Sequence, residues 1–259
     1  MQVTETEPGT RWRATIGSRE DGVGAFLGQL HRNHAWLEGG DDLPPSVLRE
    51  LAAALSARVG VSLRAKAVPG TSRHRQLLRA GGTVSQVCPP SEVDGTHPDN
   101  VAWAAVAPPA GVQVADLAEM DDEDVLELWA RLYTWVPASW APVESEEAAR
   151  AVFGPMLDEM LDRRLSVIIR RNGVRTAVAL VLRQPTGPVC VVAEAVDPAS
   201  ATAPGDVLAV MHQVVRRCAL AGHGHDLFFA GHVSDPHYPH VLATIPHVTG
   251  RGLHLIRLG

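Results

Sequence analysis

Lysine is almost absent from this chain: of 23 basic residues, Lys66 is the only lysine and the other 22 are arginines. That bias reflects a GC-rich coding sequence more than a function. Acidic residues number 29, so the net charge is −6, which argues against a general nucleic-acid binder and leaves only a local arginine patch open. Cysteine is scarce. Cys88, Cys190 and Cys218 are odd in number, far apart and in apolar settings, which excludes a disulfide frame and predicts buried free thiols in a reducing compartment. No apolar run reaches the ~18–20 residues of a membrane helix. The opening stretch Met-Gln-Val-Thr-Glu-Thr-Glu-Pro has no charged-then-apolar signal pattern. Together these absences predict a cytoplasmic protein with neither nucleic acid nor membrane as partner.

Glycine is missing where it would matter most. Residues 188–208 read as an apolar strand, a turn and a helix start. In a nucleotide site such a turn is glycine-rich, so that free N–H groups cradle phosphate. Here Pro204 removes a donor, and Asp206 places negative charge where phosphate needs the positive end of the helix.

What is present is an α/β pattern. Val112–Leu117 reads as a strand, and Met120 followed by four acids opens a helix whose stripe is Val125, Leu128, Trp129, Leu132 and Tyr133. Residues 134–142 form a proline-broken loop, and Glu144–Leu161 reads as one helix. Leu165–Arg170 and Val174–Arg183 flank Asn172-Gly173, a strong hairpin signal. Val189–Val196 is a nearly all-apolar central strand. A helix over Asp206–Leu220, a strand over Leu227–Val233, a short helix over Pro236–Val248 and a strand over Leu253–Leu258 complete the chain. Upstream, Pro44–Val59 and Thr71–Ala80 read as helices around a strand at Val61–Val68. Thr83–Cys88 and Val101–Ala107 read as a hairpin across a long loop, and Pro108-Pro109-Ala110-Gly111 reads as a break between domains.

This order of elements over Val112–Leu258 resembles the GCN5-related N-acetyltransferase (GNAT) superfamily. The resemblance implies a mixed central sheet flanked by helices. The N-terminal part resembles the last half of the same plan, so a tandem is expected: a partial unit over residues 1–110 and a complete one over 111–259. The family's phosphate pattern, Arg/Gln-x-x-Gly-x-Gly/Ala, falls on Ser200-Ala-Thr-Ala203-Pro204-Gly205. Only Gly205 survives, as the cofactor-binding residue should an acyl-CoA bind. In the first half the matching turn is Gly39-Gly40-Asp41-Asp42-Leu43-Pro44, with two aspartates facing any phosphate. Losing two charge-assisted hydrogen bonds, at about 1.5–3 kcal/mol each, costs a hundredfold or more in affinity. No cofactor is therefore expected, with acetyl-CoA as the alternative.

The resemblance also implies a general base at Glu194 on the central strand, where burial would raise a carboxylate's affinity for protons. The usual tyrosine acid would fall near Leu242, and near Leu78 in the first half, so neither half has it. Eight of the twelve histidines follow residue 211. His223, His225, His232, His237 and His240 match no compact zinc spacing, so no metal is expected. His232 and His237 are instead catalytic candidates facing the cleft. Tyr133, Trp135, Trp140 and Asp235 are substrate-binding candidates, the tryptophans as walls for an apolar or cationic group. The polar loop Asp94-Gly-Thr-His97-Pro-Asp99-Asn100 has the makeup of a lid.

Three functions fit these residues. The first is an enzyme of specialised metabolism that has left acetyl-CoA behind. It would act on an amine-bearing small molecule, free or presented by a carrier or partner protein, by base-assisted loss of an anionic leaving group. Ring closure as in the aziridine-forming enzymes of azinomycin-type pathways is the example the overall plan resembles. The others are an acetyl-CoA-dependent N-acetyltransferase and a non-catalytic binding or resistance protein.

Overall fold

The computed structural model describes residues 2–7, 11–15, 23–26, 34–183 and 187–259. They form two compact units, neither of them continuous in sequence. The first is Met1–Val87, Pro137–Ala149 and Gly252–Gly259; the second is Cys88–Val136 and Arg150–Arg251.

In chain order the first unit begins with β1 (Gln2–Glu7), β2 (Arg11–Thr15), β3 (Val23–Phe26) and β4 (His34–Glu38). Then come α1 (Pro45–Val59), β5 (Ser62–Ala67), α2 (Ser72–Arg79) and β6 (Thr83–Cys88). The second unit follows with β7 (Glu92–Val93), α3 (Pro98–Ala104), β8 (Val112–Asp116) and α4 (Asp122–Trp135). α5 (Glu146–Phe153) and α6 (Met156–Glu159) lead to β9 (Val167–Arg171), β10 (Val174–Leu182) and β11 (Val189–Ala195). α7 (Ala203–Leu220), β12 (Leu227–Phe229) and α8 (Tyr238–Leu242) end the second unit, and β13 (Leu253–Leu258) returns to the first.

The first sheet runs β1-β2-β3-β4-β5-β13-β6. β1 to β4 form an antiparallel meander, β4 and β5 are parallel, and β5 and β13 are antiparallel. α1 and α2 cover it and bury Leu48, Leu51, Leu55 and Leu77 against Trp12, Leu63 and Ile256. Each fully buried leucine contributes about 1.5–3 kcal/mol. The strand at Leu253–Leu258 thus exists as expected but completes the first sheet, where Ile256 and Leu258 are core residues, instead of closing the second. The four strands before α1 were not expected. β1 and β2 have few apolar positions, and alternation marks β2: Trp12 and Ala14 are buried while Arg11 and Arg13 are exposed; β3 and β4 are short apolar runs of four and five residues. Among the described residues the first helix of this unit is α1, from Pro45.

The second sheet runs β7-β12-β11-β10-β9-β8. β8 to β11 are antiparallel, β11 and β12 parallel, β12 and β7 antiparallel. The β9–β10 hairpin turns at Asn172 (φ 50°) and Gly173 (φ 79°), the paired positive φ values of a tight two-residue turn. Ala177, Ala179 and Val181 are buried under α7, which lies across β9, β10 and β11, and the alternating Val178, Leu180 and Leu182 are buried on the other face of the sheet.

Two expected elements are corrected. Val101–Ala107 does not pair with Thr83–Cys88: the segment is the helix α3, started by Pro98 and capped by the His97 ring accepting from the Asp99 N–H. The helix expected over Glu144–Leu161 is broken by Gly154-Pro155 into α5 and α6. Residues 88–110 lie with the second unit. No helix among the described residues is long and apolar enough to cross a membrane.

Candidate functional site

β11 pairs with β10 along its length, from Cys190↔Leu182 to Ala195↔Ala177. With β12 it pairs only from Val189 to Val191. The far end of β11 therefore has no strand beside it on that face, and the β12–α8 loop fills the place. Glu194 sits there, 1% exposed. Its Oε1 accepts from His237 Nδ1 at 2.7 Å and from the Ala195 N–H at 2.8 Å. Its Oε2 accepts from the N–H groups of His237 and Tyr238, both at 3.3 Å. A carboxylate acceptor makes Nδ1 the donor of this contact, with Nε2 as the ring's other nitrogen. Nε2 has no partner among the described residues, and the ring keeps 9% of its surface open.

The same loop holds a second acid–imidazole pair. Asp235 Oδ2 accepts from the His232 N–H at 2.7 Å and lies 3.6 Å from His232 Nδ1. Asp235 is 5% exposed, and its Oδ1 is buried with no hydrogen-bond partner among the described residues. Four of the seven expected catalytic and substrate-binding residues, Glu194, His232, Asp235 and His237, thus come together. Tyr238 is the wall behind them. Its hydroxyl donates to the Phe229 carbonyl at 2.9 Å, and burial pushes the phenol well above its ordinary pKa, so it stays protonated. Gly231 passes so close to this ring that a Cβ there would lie 2.2 Å from a ring carbon.

The aromatic candidates divide. Tyr133 packs edge-on against Phe153 at 4.7 Å, and Trp129 stacks on the same ring at 4.4 Å. Trp135 ends α4, and its Nε1 is buried without an acceptor among the described residues. Trp140 belongs to the first unit, where Arg64 lies over its ring and donates to its carbonyl, and His34 lies 6.2 Å away. The two tryptophans expected to wall one pocket are therefore parts of different units.

The helix start at Ser200–Gly205 differs from expectation in charge. Asp206 does not face outward. It is fully buried, accepting from Arg171 Nε at 2.8 Å and from the Thr202 hydroxyl at 2.8 Å. Its charge is compensated from inside, so it does not repel a phosphate. The shortage of donors remains. Pro204 has no N–H, the Ala203 N–H is spent on Ser200 and the Asp206 N–H on Thr202. Gly205 has open space where a Cβ would stand. The first unit is similar: Pro44 and Pro45 open α1, and Gln76 Nε2 pins the preceding loop by donating to the Gly40 and Leu43 carbonyls. At the second unit's helix start one amide is lost to proline and two are spent on the preceding turn.

The first unit instead holds a cavity that the sequence did not reveal. It measures about 430 Å³ and is lined by Trp36, Leu37, Glu38, Gly39, Asp41, Lys66 and Arg73. It opens where the β4–β5 ladder ends, at Trp36↔Arg64. The Lys66 ammonium lies 5.0 Å from the Trp36 ring centre. Arg73 meets Asp41 at 2.9 Å. Burial lowers the Arg73 pKa, and the Asp41 charge partly restores it. The rarity of lysine was the one available signal, and it pointed at composition.

No protein-family model matches the sequence, and no curated protein matches it. Solved structures do. A GCN5-related N-acetyltransferase from Sphaerobacter thermophilus superposes with a TM-score of 0.66 at 12% identity, over 91% of this chain and 76% of that one. A tandem GNAT protein from the clavulanic acid biosynthesis pathway gives 0.61 at 14% identity, over 98% and 84%. A GCN5-related N-acetyltransferase from Kribbella flavida gives 0.60 at 15% identity, over 96% and 89%. The fold is a diverged, tandem GNAT-like α/β architecture. None of these structures points to aziridine-forming enzymes.

Proposed function

We propose that this chain is a GNAT-fold enzyme that acts on an amine-bearing small molecule without acetyl-CoA, using the Glu194–His237 pair as its base. The buried 2.7 Å contact between Glu194 Oε1 and His237 Nδ1 carries the reading. Glu194 is saturated by four hydrogen bonds, so it is the positioning group and not the base itself. It fixes the imidazole tautomer with the Nε2 lone pair outward and stabilises the imidazolium that forms when Nε2 takes a proton. The substrate amine then attacks carbon, and an anionic group leaves with the bond's electron pair. Ring closure to an aziridine is one such displacement. The substrate would be free or carrier-presented and would meet the His237 imidazole. The donor-poor start of α7 supports a reaction without a CoA pyrophosphate.

Calorimetry with acetyl-CoA, paired with turnover of candidate amines by wild type, Glu194→Gln and His237→Gln, tests this. The expected result is no acetyl-CoA binding below millimolar and loss of turnover in both variants with the fold intact. Micromolar acetyl-CoA binding would replace the proposal with an N-acetyltransferase, which the inward turn of Asp206 leaves electrostatically open. Full activity in His237→Gln would remove the site assignment.

A second reading, a small-molecule binding protein, is favoured by one observation, the first unit's cavity. Lys66 and Arg73 beside Trp36 suit a ligand with an anionic group and a flat apolar body.

A further inference from the structure

The polar loop at Asp94–Asn100 is used by none of the chemistry above, yet it is held with unusual care. The fully buried Asn100 donates through Nδ2 to the His247 carbonyl at 2.9 Å and to the Asp94 carbonyl at 2.8 Å. Its Oδ1 accepts from the His247 N–H at 3.0 Å. One amide side chain thus ties both backbone groups of His247 to the first turn of α3. Two residues on, Thr249 exchanges backbone hydrogen bonds with Glu92 at 2.7 and 3.1 Å, which fixes the same strand from the other side. Asp94 Oδ1 accepts from the Thr96 N–H and hydroxyl at 2.8 and 2.6 Å, setting the turn that delivers His97.

The clamped backbone brings three side chains together. The rings of His97 and His247 lie with centres 3.7 Å apart and planes tilted by 36°. His247 Nε2 is 2.8 Å from Asp99 Oδ2. One ligand atom from each of the three residues lies within 4.8 Å of the others. The Asp99 and His247 side chains are 63% and 47% exposed, so their ion pair adds little to stability and does not explain a fully buried clamp.

We propose that His97, Asp99 and His247 bind a borderline divalent cation such as zinc, nickel or cobalt. Two imidazoles and one carboxylate favour these ions over magnesium or calcium, which take all-oxygen sets. Around a tetrahedral ion with bonds of about 2.0–2.2 Å, ligand atoms sit about 3.3 Å apart. The three ligand atoms already lie within 4.8 Å of one another, and ligation would bring the His97 nitrogen in and fan the two rings. The ion replaces the proton that His247 Nε2 shares with Asp99, and that proton moves to Nδ1 or to solvent, so affinity falls on acidification. A water takes the fourth position. The bound ion would staple α3 to the 245–249 loop. The proposal is independent of the Glu194–His237 reading.

The test uses the full-length chain, freed of any affinity tag and stripped with a chelator. Cobalt is titrated by visible absorption and zinc by calorimetry. The expected result is one equivalent bound in the micromolar range, with a zinc-dependent rise in melting temperature. His247→Ala weakens binding at least tenfold and removes the rise, leaving the Asn100 clamp on the backbone intact. His97→Asn keeps a capping oxygen for α3 and does the same. Should either variant misfold, Asp99→Asn on the exposed rim gives the reading with a several-fold loss. His223→Ala, an exposed histidine outside the cluster, leaves binding unchanged. Absence of saturable binding below millimolar metal overturns the proposal. So does affinity unchanged in all three cluster variants, which would place the ion elsewhere among the histidines.

Discussion

Both units run an antiparallel meander into a parallel pair, and in both the first strand of that pair outruns its ladder. β4 continues past Trp36↔Arg64, and β11 past Val191↔Phe229. What fills the end differs. In the first unit the strand ends at Glu38, whose side chain is 60% exposed, beside an open cavity with Lys66 and Arg73. In the second a carboxylate 1% exposed is enclosed by His237 and Tyr238. One scaffold therefore carries an open cavity or a buried acid–imidazole pair, depending on a few side chains at a strand end. That is why the shared fold alone does not decide the chemistry.

The largest test of this contrast compares two alanine substitutions. Glu194→Ala leaves three buried N–H groups and the His237 ring without their acceptor, and is expected to cost about 3–5 kcal/mol. Glu38→Ala removes an exposed side chain with one loose partner, Arg11 at 3.9 Å, and should stay within about 0.5 kcal/mol. Urea unfolding of both variants measures the difference. Equal costs would break the contrast.

A smaller effect comes from packing at the same two strand ends. A methyl at Gly231 meets the Tyr238 ring at 2.2 Å, so Gly231→Ala should destabilise by about 1–3 kcal/mol and disturb the His232–His237 loop. Gly39, after β4, has φ +75° and nothing within 4 Å, so Gly39→Ala carries only left-handed strain of about 1–2 kcal/mol. The sharper distinction is in activity: only Gly231→Ala should alter turnover by the second unit.

Acidification acts on both units through different histidines. His212 in α7, edge-on to Trp103 at 4.3 Å, has its pKa lowered by burial. His254 in β13 is lowered first by burial and then by His74, whose Nε2 is 3.0 Å from its Nδ1. In each case the unfolded chain binds a proton that the folded one refuses. Stability is therefore full above the ordinary histidine value of about 6.5 and falls as pH drops from there toward the folded value. His212→Gln should flatten the decline in the second unit and leave the first unit's share. A decline unaffected by His212→Gln would assign the whole effect elsewhere.

The sequence revealed most where local chemistry and tertiary packing agree. Asn172-Gly173 fixed a hairpin, and the all-apolar stretch after Val189 marked a central strand. Glu194 was picked out by the family resemblance, and His232 and His237 by the clustering of histidines late in the chain; the fold puts them on that strand and on the loop beside it. The sequence misled where partners are remote. Asp206 read as a repelling surface charge because Arg171, which buries it, lies 35 positions away. β1 and β2 carry too few apolar residues to stand out, and β3 and β4 are only four and five residues long. Val101–Ala107 matched a strand in composition, but the His97-Pro98 start decided for a helix. The cavity near Lys66 depends on where two strands part, which no local pattern records.

The gentlest test concerns that cavity. Lys66 is the only lysine, so an amine-selective reagent has one side-chain target in the whole chain. Its ammonium over the Trp36 ring is worth about 0.5–1 kcal/mol at an exposed position, so Lys66→Met should cost no more than that. A small molecule that occupies the first unit's cavity must displace or cover this ammonium. It should slow acylation of Lys66 and shift a tryptophan emission that is lost in Trp36→Phe. A substrate of the Glu194–His237 pair should do neither. If one compound protects Lys66 and is also turned over in a Glu194-dependent way, the two strand ends serve a single ligand, and the division of labour between the units fails.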